Sequence, residues 1–235
     1  MVISPYALDL YFSFILIIFT SIFTAVLKKS IQFFFIFLMS FIFGQQNSEF
    51  KEVVNYYAYQ RSMLNTEFKK RFDNEPDAEQ KEVVRNVFQE FMVKLDSIQN
   101  SALLHALVKV KIREDLGRIF PNEVQKPGAS KNPKKADLTT DAQYPGGFDK
   151  MREQISNVFY TDAVLADKKI IKADLLFVVE KDGSISSVKA DGENFTFNRQ
   201  AEIALYLLPN KFTPAYINST PVRYRFRLPL AMNFE

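Results

Sequence analysis

Residues 177–188 read Phe-Val-Val-Glu-Lys-Asp-Gly-Ser-Ile-Ser-Ser-Val, and this stretch decides the fold. Its first part ends a longer run, Lys169 to Glu180, in which Ile171, Ala173, Leu175, Phe177 and Val179 fall at every second position. Successive side chains of a strand point to opposite faces, so these five share one face of a strand. Lys181-Asp182-Gly183 then gives a tight-turn signal, because Asp and Gly accept the left-handed backbone that a short hairpin needs. Ser184 to Ala190 is the returning strand, with Ile185 and Val188 as its apolar content. The sheet is therefore expected to begin as an antiparallel hairpin with one dry face.

Working outward, Tyr144-Pro145-Gly146-Gly147 is a turn leading into a helix whose Phe148, Met151, Ile155 and Phe159 lie on one side. After the hairpin, a helix over Asn198 to Leu208 has Ala201, Ala204, Leu205 and Leu208 as its buried stripe, and Pro209-Asn210 ends it. The last strand is expected over Val222 to Leu230. Val222, Tyr224, Phe226 and Leu228 face one way there, and Arg223, Arg225 and Arg227 the other. The order helix-strand-strand-helix-strand, with a wet face on the sheet, predicts an α+β sandwich: a small antiparallel sheet and two helices.

These residues carry a family resemblance. Tyr-Pro-Gly-Gly at 144–147, the Phe177 to Val188 hairpin, the Ala-containing helix, Phe212-Thr-Pro-Ala215 and Asn218-x-x-Pro-Val222 occur in an order that resembles the C-terminal domain of TonB energy transducers of the Bacteroidetes type. The match covers about ninety residues, and its specificity lies in the order of five weak motifs. Two positions depart from the pattern. Phe212 stands where the family usually has Trp, and Ser219 where it usually has Gly after the Asn. A serine there strains a left-handed turn, so the loop is expected to be remodelled.

The resemblance implies an interaction module that takes an extended segment of a TonB-dependent outer-membrane receptor onto a sheet edge, in support of energy-dependent nutrient uptake. Strand addition uses unpaired backbone groups for affinity and side-chain pockets for selectivity. By position, the implied partner-binding residues are Tyr144, Pro145, Arg223, Tyr224, Arg225, Phe226, Arg227 and Leu228. Two plainer readings stand beside this one. A row of arginines on an edge strand also discourages unwanted pairing, and Tyr144-Pro145 also serves as a simple turn before a helix.

Before this module the spacing is helical. Phe50, Val53, Val54, Tyr57, Leu64, Phe68 and Phe72 share a helix face, and Asn74-Glu75-Pro76 breaks it. Asp77 with Gln80 resembles a capping box that opens a second helix, in which Val84, Phe88, Phe91, Leu95, Ile98 and Ala102 step by four and three. That is the pattern of a helical hairpin or of a self-associating coiled coil, so a homo-oligomer is one expected partner. Asn100-Ser101 divides the helix on one reading, and Val108 to Ile112 alternates like a strand. The lone His105 falls on the apolar face and reads as a hydrogen-bonded core residue rather than a catalyst.

Residues 121–142 hold prolines, lysines, a glycine, a serine and threonines with almost no large apolar residues, and read as a linker. The expected organisation is 1–44 apolar segments, 45–120 helical region, 121–142 linker and 143–235 TonB-like domain. Leu10 to Leu27 is long enough to span a bilayer, and Lys28-Lys29 before Ile31 to Gly44 is what a secretory signal looks like. Either residues 1–27 over-extend the true start and a signal peptide follows, or both runs are membrane elements. Both readings place the rest in the periplasm, secreted or anchored to the inner membrane.

Composition narrows the function. There is no cysteine and a single histidine, so thiol chemistry and multi-histidine metal sites are excluded. A formal charge of +3 without a basic stripe argues against nucleic acid. No glycine-rich phosphate loop or metal-spaced cluster occurs, so no enzyme, catalytic residue or cofactor is expected. The coupled members of the family resemble one another in a serine- and histidine-bearing anchor that engages an ExbB-ExbD motor. No histidine lies in the apolar runs here, which makes the motor a doubtful partner and leaves a second expectation: a secreted periplasmic module without energy coupling, binding another envelope protein or itself.

Overall fold

The computed structural model describes residues 48–119 and 133–234. The readings of a signal peptide, a membrane anchor and an over-extended start fall on 1–44 and lie outside the described residues, as does most of the linker. Among the described residues, no helix is long and apolar enough to cross a membrane.

Helix α1 (Ser48–Asn74) and helix α2 (Ala78–Ile119) form an antiparallel hairpin. The chain turns at Glu75-Pro76, where proline disfavours helix for the residue before it. Asp77 restarts the helix by accepting the amide of Glu79 on Oδ1 at 3.2 Å, and not that of Gln80. The hairpin closes on Phe68, whose ring lies 4.9 Å from that of Phe88 and 6.5 Å from that of Phe91. Arg61 ties the two helices by reaching Asp96 and Gln99.

Helix α2 is continuous through Asn100-Ser101 and Val108 to Ile112, where a break and a strand were the alternatives to an expected helix. Asn100 does not compete with the helix backbone, because its Oδ1 accepts from Gln200 Nε2 at 2.9 Å in a buried amide pair. The alternation at 108–112 is a helix with apolar residues on two sides: Val110 is buried, while Val108 and Ile112 are exposed. His105 is also exposed, so it is not a core residue. It sits on the side of α2 away from Leu103, Leu107 and Val110, which face the protein.

The second half of the chain is an α+β sandwich. Its elements are α3 (Gly147–Val158), β1 (Ile170–Val179), β2 (Ile185–Asp191), α4 (Phe195–Tyr206), β3 (Ala215–Ile217), β4 (Thr220–Val222) and β5 (Tyr224–Asn233). Three strands make an antiparallel sheet in the order β2-β1-β5, and β3 pairs with β4 in a separate ribbon. Ile171, Ala173, Leu175, Phe177 and Val179 of β1 are all buried, as the two-residue period requires. Gly183 sits in the turn at φ 79°, and a Cβ there would lie 1.9 Å from the carbonyl oxygen of Phe212, so only glycine lets the hairpin pack against that segment.

The strand expected over Val222 to Leu230 is two strands. Val222 belongs to β4 and pairs with Ala215, Arg223 is the break, and β5 starts at Tyr224 opposite Val179. The loop before it accepts the left-handed serine. Asn218 and Ser219 take φ of 46° and 65° and link the paired Ile217 and Thr220, so the serine occupies the left-handed position of a two-residue hairpin turn.

Helix α4 is capped by Asn194, whose Oδ1 accepts from Phe197 N at 2.8 Å. It is buried almost all round because the sheet covers one side and α2 the other. Phe50 of α1 stacks on Tyr206 at the end of α4, centroids 5.0 Å apart. The helical region and the sandwich consequently form one compact unit, Gln46–Glu235. Residues 139–143 run beside β3 through bridges from Thr140 to Tyr216 and from Gln143 to Thr213.

Candidate functional site: an open sheet edge

A three-stranded sheet has two edges, and each edge strand carries outward N–H and C=O groups that need a partner or water. The ladder register shows which groups those are. Phe234 N donates to Lys169 O at 2.7 Å, so the bonded β1–β5 pairs are those with odd β1 and even β5 numbers. The backbone groups of Tyr224, Phe226, Leu228, Leu230 and Met232 therefore point at β1. Those of Arg225, Arg227, Pro229, Ala231 and Asn233 point away from it. By the same alternation, Val188 and Ala190 of β2 point outward on the opposite edge.

The β2 edge is sealed by side chains. Ala190 N donates to Glu202 Oε1 at 2.9 Å, and Val188 N to the Tyr206 hydroxyl at 3.4 Å. Lys111 Nζ of α2 donates to Val188 O at 3.1 Å. Ser187 makes a bulge at φ 53°, which turns its N–H to Glu114 Oε1 at 2.9 Å. Glu202 is wholly buried, and its Oε2 lies 3.0 Å from Lys111 Nζ and 2.9 Å from an Arg199 guanidinium nitrogen. Neither contact has the geometry of a hydrogen bond, so that oxygen is held by charge. Burial pushes the Tyr206 hydroxyl well above its usual range, which keeps it protonated and donating to Glu114 at 3.1 Å.

The β5 edge is not sealed. Among the described residues, no backbone or side-chain group bonds the outward amides of Arg225, Arg227 and Ala231. Pro229 falls on this edge, where its missing N–H costs no ladder bond, and it interrupts the row of donors. An added strand can therefore exchange bonds with Arg225 and Arg227 without interruption and loses a donor at Pro229.

The residues singled out from the sequence divide accordingly. Arg223, Arg225 and Arg227 are exposed on the outer sheet face. Arg223 pairs with Glu180 at 2.7 Å and Arg227 with Asp174 at 2.6 Å, and the Arg227 hydrogen bond holds the Asp174 carboxyl below its usual range. Arg225 makes no ion pair among the described residues and lines a cleft of ≈ 540 Å³ over Leu176 and Val178, shared with Lys189 and the end of α2. Tyr224, Phe226 and Leu228 face the core, where the Phe226 ring lies 5.7 Å from that of Phe177. These three supply position rather than contact.

Tyr144 is buried at 3% exposure, with its ring 5.0 Å from that of Phe212 and its hydroxyl on Gln154 Oε1 at 2.5 Å. Burial raises its hydroxyl pKa. Pro145 is exposed at the start of α3. The link from this segment to β5 runs through the half-exposed Phe148, whose ring is 6.0 Å from Phe226. The sealing groups Lys111, Glu114, Glu202 and Tyr206 were not legible as such. A charged residue on a helix reads as solvated until the helix is known to face a sheet edge.

Among the described residues, no three His, Asp or Glu side chains converge in a way that could hold a metal ion. No protein-family model, curated protein or solved structure matches the chain.

Proposed function

We propose that this chain is a non-enzymatic interaction module of the bacterial envelope, of the TonB C-terminal kind. It takes up an extended segment of an outer-membrane receptor as a fourth strand along β5, in support of energy-dependent nutrient uptake. One observation supports this above the others: the sheet has one edge closed by Lys111, Glu114, Glu202 and Tyr206, and one edge whose Arg225 and Arg227 amides face outward without a partner among the described residues. The second reading, a secreted module without energy coupling, is favoured by the absence of histidine from the apolar runs before Gly44.

The test is titration of the full chain with extended peptides from candidate receptors, followed by backbone amide chemical shifts. Binding should move the Arg225 and Arg227 amides most, and proline at both positions should abolish it while the fold is kept. Undiminished binding by that folded variant would move the site elsewhere. Fractionation of native cells separates the two readings. A membrane-bound chain that crosslinks to an ExbB-ExbD motor supports the transducer, and a soluble one supports the uncoupled module.

A further inference from the structure

A surface helix of a folded protein has one apolar stripe and a polar back. Helix α2 has two apolar sides. One holds Leu95, Leu103, Ala106, Leu107 and Val110, all buried against α1 and the sandwich. The opposite side carries Val87, Ile98, Val108, Ile112, Leu116 and Ile119, each between 50% and 66% exposed, with Phe91 on its border beside Phe68 of α1. Phe91, Ile98, His105, Ile112 and Ile119 recur at every seventh residue, the spacing of a coiled-coil seam. The stripe runs for roughly 48 Å at 1.5 Å per residue.

We propose that this side of α2 is a self-association surface, and that its partner is α2 of a second copy of the chain, packed antiparallel. Three arguments select a second copy. Under a twofold axis between Ser101 and His105 the stripe meets itself: Val87 falls against Ile119 and Ile98 against Val108 of the second copy, while Phe91 and Ile112 meet Asp115 and Lys94. Lys94 and Asp115, which pair with Glu90 and Arg118 within their own helix, then lie within one turn of each other across the seam. The area suffices, because the exposed apolar side chains of the stripe amount to roughly 600 Å² per copy, so a pair buries about the 1,200 Å² at which stable interfaces begin.

The antiparallel sense follows from the position of the sandwich. It packs on the C-terminal half of α2 through Asn100, Lys111 and Glu114. A parallel pair would bring two sandwiches side by side, whereas an antiparallel pair sets each beside the other copy's hairpin tip. The open β5 edge takes no part in the seam, so a dimer would present two receptor-binding edges, and this inference stands whether or not the strand-addition reading does.

The chain has no cysteine, so an introduced pair reports only itself. In the full chain, Ser101→Cys with His105→Cys should oxidise to a covalent dimer. An exposed cysteine off the stripe, Asp149→Cys, should not, and adding Ile98→Glu with Ile112→Glu to the first pair should remove the dimer while helicity by circular dichroism is unchanged. All positions are exposed, so folding is not at stake. Several results would overturn the proposal: no dimer above the Asp149→Cys level, a dimer that survives the two glutamates, or efficient crosslinking by Ser101→Cys alone, which indicates a parallel pair. A stripe covered by another protein or by the chain's own apolar N-terminal runs gives the first of these.

Discussion

Proline scanning along β5 tests the register directly, because neighbouring positions should respond in opposite ways. At Arg225 the N–H points away from β1, so Arg225→Pro removes no ladder bond and should cost under about 1 kcal/mol, the tolerance proline finds on an edge strand. Pro229 already occupies the equivalent outward-facing position four residues along. At Phe226 the N–H faces Phe177, and a proline there leaves a buried carbonyl without its donor and forces the strand aside. That backbone effect should be about 3 kcal/mol beyond the loss measured for Phe226→Ala, which accounts for the ring. Urea denaturation of the three variants at equal concentration gives the difference. Hydrogen exchange in the parent chain gives an independent check, with slow amides at Phe226 and Leu228 and fast ones at Arg225 and Arg227. Equal destabilisation by the two prolines, or slow exchange at Arg225 and Arg227, would refute the register and with it the open edge.

Four further outcomes are expected. Glu202→Ala strands Lys111 and the Ala190 amide beside a buried site and should cost about 3–5 kcal/mol by chemical denaturation, with Lys111→Met in the same chain recovering part of the loss. Ser219→Gly relieves a left-handed serine and should add about 1 kcal/mol to stability, read as a higher urea midpoint at unchanged slope. Asp174 is held below its usual range by Arg227, so its share of stability is complete above the unfolded carboxylate pKa and disappears as pH falls through the folded value. In Arg227→Ala, its titration followed by carboxyl NMR should move up to the ordinary range. A fragment of residues 142–235 keeps the sheet but loses the cover over Tyr206, Glu202 and the β2 edge, so it should melt less cooperatively than residues 46–235 by calorimetry.

The parts legible in the sequence were those whose physics is local. The β1–β2 hairpin announces itself by a period of two and an Asp-Gly turn, and both were found where expected. Strand β3 left no signal, because three residues contain too little alternation to register, and the break at Arg223 follows from β3 claiming Val222 as its partner. Asn100 reads as a helix breaker until its amide is seen to meet Gln200. His105 reads as core because it stands among apolar residues, and only the two-sided character of α2 shows that those neighbours face outward. The arginines of β5 were placed on the correct strand and face. Which of them present free amides depended on a register that no single sequence displays.

The clasp of α2 on β2 also bears on how the chain assembles. Asn100 must find Gln200 a hundred residues on, and Lys111 and Glu114 must find a strand more than seventy residues away. Closing such loops costs entropy before any contact rewards it, so docking of α2 should be among the late and slow steps of folding. Until then the nascent sheet has two raw edges rather than one, and α2 offers apolar residues on both sides. The species most prone to clump is thus a half-built one with its sheet complete, and a chaperone in whatever compartment the chain matures would find its substrate in that interval.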